Sequence, residues 1–110
     1  LYTSSATLGP TTTAFSTTNE SSGTNYTSGG ATISNVAVSS SGTVAFVDFD
    51  DVSFSSATIS DAAGALIYNS SASNRAIAVL DFGSTKSVSG GTLTVSLPSA
   101  SATTALIRIS

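Results

Sequence analysis

Histidine, cysteine, methionine and tryptophan are all missing from this chain of 110 residues, and only 8% of its side chains are charged. The lack of histidine and cysteine weighs most on chemistry. A serine or threonine hydroxyl becomes a nucleophile only when a base stands within reach, and the usual one is absent. Lys86 could take a proton in principle, but it sits in the turn-forming run Gly83-Ser84-Thr85-Lys86-Ser87. Such a turn lacks the burial that a catalytic lysine requires. The expectation is therefore a protein that is not an enzyme and carries no cofactor.

The charges that are present exclude further classes. Three cations, Arg75, Lys86 and Arg108, are scattered among six acids for a net charge of −3. They form no basic stripe, so no nucleic-acid partner is expected. No apolar run approaches the roughly 20 residues of a membrane helix, and no basic-then-apolar leader opens the chain, so no membrane partner is expected either. Without cysteine the redox compartment cannot be read, although the composition suits the outside of a cell or a virion. So few charges leave little repulsion between like neighbours, as suits a chain that works against a partner surface.

What the chain has in abundance is serine and threonine, more than a third of its residues. Hydroxyl and β-branched side chains favour pleated sheets. A single domain of this length buries roughly 60 to 70% of the surface its unfolded chain exposes, enough to fold without covalent staples.

From Leu1 to Gly30 the sequence is almost all Ser, Thr, Gly and Asn, with isolated apolar residues at Leu1, Tyr2, Leu8, Phe15 and Tyr26. No strand or helix period is sustained, and Gly9-Pro10 and Gly29-Gly30 are strong breaks. This reads as an extended N-terminal arm over residues 1–30 holding one short strand near Tyr2 to Leu8. It is either a loose end or an arm that binds a partner through those five residues.

Residues 31–110 carry strand patterns. Val36 and Val38 precede the turn Ser39-Ser40-Ser41-Gly42, and Thr43 to Phe49 follows as a strand with one fully buried face. Val52, Phe54 and Ile59 continue in a one-sided strand that ends at a Ser60-Asp61 turn. Gly64 to Phe82 then reads as a hairpin around Asn69–Asn74, apolar on both faces and so central. Turns at Gly83–Ser87 and Gly90-Gly91 flank a weak strand at Val88. Thr92 to Leu97 alternates until Pro98 ends it, and Ala105 to Ile109 closes the chain. The expected fold is all-β: one β-sandwich, jelly-roll-like or immunoglobulin-like, of seven or eight short antiparallel strands with the arm at its start.

Few constellations carry chemistry. Asp48, Asp50 and Asp51 form the one acidic concentration, but without the glycine turn and distal bidentate glutamate of a helical Ca²⁺ loop they make only a weak metal candidate. The plainer reading has them bonding turn backbone and protecting a strand end. Sequons at Asn19, Asn25 and Asn69 arise readily by chance in so hydroxyl-rich a chain. Tyr2, Tyr26 and Tyr68 do not cluster as a sugar platform. Each arginine could pair with an acid, Arg75 with Asp81 along one strand face and Arg108 with a neighbour's acid.

The phrases Ser60-Asp61-Ala62-Ala63-Gly64-Ala65-Leu66-Ile67-Tyr68-Asn69 and Asn74-Arg75-Ala76-Ile77-Ala78-Val79-Leu80-Asp81-Phe82-Gly83 resemble small structural proteins of tailed-bacteriophage virions. So do Ala45 to Val52, Leu93 to Pro98, Ala105 to Ile109 and the Thr17-Thr18-Asn19-Glu20 start. The resemblance is one of texture and short phrases over most of the chain, with no catalytic signature. It implies a head decoration or cement protein on the virion surface, outside the cell, clasping the major capsid protein lattice as a homo-oligomer, a trimer or a dimer. A filament or fibre subunit that uses the arm for strand addition is the alternative, and a carbohydrate-binding module the third reading.

Overall fold

The computed structural model describes residues 1–34 and 36–110. Among them lie six strands and no helix: β1 (Gly23–Thr24), β2 (Ala37–Ser41), β3 (Val44–Asp48), β4 (Val52–Asn69), β5 (Arg75–Val95) and β6 (Ile107–Ile109). They form two antiparallel three-stranded sheets in the orders β1-β4-β5 and β2-β3-β6. The all-β class is as expected. The strand number is smaller, because turns expected at Ser60-Asp61, Gly83 and Gly90 do not end strands.

The reason lies in the backbone. No proline falls between Val52 and Val95, so nothing removes a ladder donor over that length. Gly83 and Gly90 instead take left-handed φ values of 74° and 63° inside β5, and Ser56 takes 49° inside β4. Single left-handed residues within a long pair bend and twist a strand without stopping it. Five expected strands thus fuse into two long ones, tied near their ends by Ser53 Oγ and Thr94 Oγ1 at 3.0 Å.

The chain divides into two compact units. The first comprises Leu1–Gly30 and Phe54–Leu93, and the second Ala31–Ser53 and Thr94–Ser110. The boundary expected at residue 30 marks only one of these junctions, because the first thirty residues belong with the central hairpin. They are not an arm extended away from their own chain.

Backbone bonds explain the difference. Tyr2 bridges both Glu20 and Gly64, and Ala14 bridges Arg75. Tyr2 N donates to Gly64 O at 2.9 Å and Ala63 N donates to Tyr2 O at 2.8 Å, while Ala76 N reaches Thr13 O at 2.9 Å. β1 joins β4 through Gly23 opposite Ile59. These pairings follow no side-chain period, so the hydrophobic pattern of the segment carries no trace of them.

The core of the first unit sits on β4, where Ala57, Ile59, Ala62, Ala65 and Ile67 are buried together with Tyr2 and Phe54. The two-sided burial expected of the central hairpin holds for its first strand only. On β5 the alternate residues Ile77 and Val79 are exposed. β5 ends its sheet, so it lacks the second neighbour that encloses β4.

In the second unit, β2 and β6 flank β3, with Val38 opposite Val47 and Val47 opposite Ile107. The fully buried face expected for Thr43 to Phe49 is not formed: Val44 to Val47 are half-buried and all of β2 is exposed. Among the described residues of this unit, Ala105 alone is buried.

Candidate functional site

Four of the five residues expected to peg the arm onto a partner meet their own chain. Tyr2 is 3% exposed, and its hydroxyl donates to Ser16 O at 2.6 Å while accepting from Ser16 N at 3.2 Å. Phe15 stacks on Tyr68, with ring centroids 4.8 Å apart and planes 17° from parallel. Tyr26 tilts against Phe54 at 5.2 Å. The Leu1 nitrogen donates to Tyr26 Oη at 2.8 Å. Leu8 lines an open groove of about 250 Å³ with Tyr2, Ala63, Gly64, Val79 and Asp81. That volume is below the range of small-molecule sites and suits no more than a side chain.

Glu20, the sole glutamate, organises this segment, a role that its neighbours in sequence do not announce. Its carboxylate accepts from Tyr26 Oη at 3.0 Å, Ser28 Oγ at 2.8 Å and Gly29 N at 2.6 Å. Tyr68 Oη then donates to Gly29 O at 2.8 Å, which joins the network to the hairpin. Burial raises the affinity of the Tyr26 phenol for its proton, and the charge of Glu20 and the hydrogen bond to it act in the same direction. The phenol is thus a fixed donor, and the arrangement is a structural tie.

The acidic trio does not converge. Among the described residues no group of three acids comes close enough to hold a metal ion. Asp51 Oδ1 accepts from Leu97 N at 2.7 Å, a backbone tie of the kind expected at a strand end. Lys86 Nζ donates to Ser84 Oγ at 2.8 Å in an exposed stretch of β5. The Arg108 guanidinium donates to the Thr103 carbonyl of the preceding loop instead of meeting an acid.

No family model, curated protein or solved structure matches this chain. Its chemistry therefore rests on its own surfaces.

Two of them stand out. In the second unit, residues directly opposite one another share a sheet face. The rows Val38–Val47–Ile107 and Ser40–Ala45–Ile109 therefore lie on one side. Val38 is 76% exposed and Ile109 72%, with Val36 exposed just before β2. The outer strand β2, Ala-Val-Ser-Ser-Ser, has no charge, proline or bulge to discourage further pairing.

In the first unit, β5 exposes Arg75, Ile77, Val79 and Asp81 at alternate positions. Asp81 Oδ1 accepts from Gly83 N at 2.8 Å. The expected pairing of Arg75 with Asp81 is not made, since six residues of strand hold them roughly 20 Å apart. Sequence reading placed the β5 run at the buried centre of the fold and assigned no surface to Val36, Val38 or Ile109. The signal it lacked was strand order, which leaves β2, β5 and β6 at sheet ends.

Proposed function

We propose that this chain is a non-enzymatic structural protein of a phage virion that binds the outer capsid lattice and stabilises it. The carrying observation is the second unit, a three-stranded sheet with Val36, Val38 and Ile109 exposed and Ala105 as its buried residue. So little enclosed apolar surface stabilises a sheet poorly by itself, and contact with a partner supplies the rest. The resemblance of short phrases to tailed-phage virion proteins and the shortage of charge support a capsid as that partner. The contact surface in this reading is the Val38–Val47–Ile107 face and not residues 1–30, whose aromatic residues are engaged within the chain.

The test is co-sedimentation of purified protein with capsids that lack it, together with imaging of intact virions. Wild type is expected to pellet with capsids and to appear on the head, and V38D/I109D to fold and stay in the supernatant. Finding the chain on the tail, or equal pelleting of the variant, overturns the reading.

The uncharged outer edge of β2 favours one second reading, a filament or fibre subunit assembled by strand addition. Fibres formed by purified protein without capsids would favour it.

A further inference from the structure

The exposed strip on β5 reads Arg75-x-Ile77-x-Val79-x-Asp81, with a cation at one end, an acid at the other and two aliphatic residues between them. Ile77 is 51% exposed and Val79 37%, although they belong to the apolar run Ala76 to Leu80 near the start of β5. Among the described residues no hydrogen bond or ion pair engages the Arg75 guanidinium, and the Asp81 bond to Gly83 occupies Oδ1 alone.

We propose that this strip is a two-fold interface between two copies of the chain. The argument is charge complementarity under symmetry. An isologous contact places the same patch on both partners, so residue i meets j and j meets i. Laid antiparallel on its own copy about Ala78, the strip sets Arg75 against the copy's acid at position 81. The same rotation sets Asp81 against the copy's guanidinium, and Ile77 against the copy's valine at 79. Both charge pairs form at once and both apolar residues are covered. A parallel arrangement would instead place like charges together at each end. Ala14 already bridges the β5 edge at Arg75, so the copy meets the strip through its exposed side-chain face and not by adding a strand.

The occupant is therefore a second copy. The inference does not depend on capsid binding, because it concerns the first unit and is read from the protein alone.

The experiment is sedimentation equilibrium of the full chain and of R75D and D81R, with circular dichroism as the check of folding. Wild type is expected to form dimers that weaken as salt rises. Each single variant places like charges at both ends and should weaken dimerisation by about tenfold or more. An equimolar mixture of R75D with D81R restores opposite charges at both ends and should recover dimers, as should the double variant R75D/D81R with itself. V38D/I109D, altered only in the second unit, should dimerise like wild type.

A wild type that stays monomeric to millimolar concentration overturns the proposal. So do single variants that dimerise as wild type does, or a mixture that stays monomeric while both components are folded.

Discussion

The carboxylate of Asp61 accepts both the backbone N–H of Ser4, at 3.0 Å, and its hydroxyl, at 2.9 Å, across a separation of 57 positions. This bidentate clasp holds the start of the chain to the middle of β4. Beside it, Ser21 Oγ donates to the Asp61 carbonyl at 2.6 Å, so one residue anchors two parts of the N-terminal segment.

Replacing Asp61 with alanine removes both acceptors while leaving the strand intact. Because the clasp is exposed to solvent, the expected loss is about 1 to 1.5 kcal/mol, measured by urea denaturation. Limited proteolysis should show earlier cleavage within residues 1–20, which distinguishes a released segment from a general loss of stability.

Gly23 has a different importance. A Cβ there would lie 1.8 Å from the Thr58 carbonyl oxygen on the paired strand. G23A must break the β1–β4 pairing or displace β4, and a loss of about 1 to 3 kcal/mol is expected. Amide exchange should report it at Ile59 and Thr58, the residues opposite β1.

Among the described residues, Ile59 is the largest completely enclosed side chain. I59A leaves a cavity in the first unit and should cost about 2 to 5 kcal/mol in thermal or chemical unfolding. V38D/I109D, at exposed sites, should stay within about 0.5 kcal/mol of wild type. That contrast would place the stabilising core on β4 and not on the second unit's exposed apolar face.

The Tyr26 phenol supplies a pH dependence. Its folded proton affinity is raised, chiefly by burial and then by Glu20, above the unfolded value of about 10. The folded state therefore binds the proton more tightly than the unfolded state. Its contribution is complete below about pH 10 and declines as pH rises toward the folded value. Urea midpoints between pH 9 and 12 should fall for wild type, and Y26F should flatten that part of the decline.

Much of the fold class is legible in the residues themselves. The alternation Leu93, Val95, Leu97 and the β-rich run at Val44 to Phe49 predict strands, and Asn69 to Asn74 predicts the hairpin loop that β4 and β5 share. The candidate site is less legible. Ile77 and Ile67 look alike in sequence, yet one is exposed and the other buried, because strand order and not composition decides which strand has two neighbours.

The sequence by itself determined an all-β chain without histidine or cysteine, with short turns and little charge. Backbone alternation and side-chain chemistry are local properties, so they can be read along the chain. Tertiary structure alone decided that residues 1–30 fold onto the hairpin, that Glu20 gathers three donors, and that Arg75 and Asp81 end an exposed strip. Those outcomes depend on contacts between residues distant in sequence, where the pairing partner of each backbone group leaves no periodic mark.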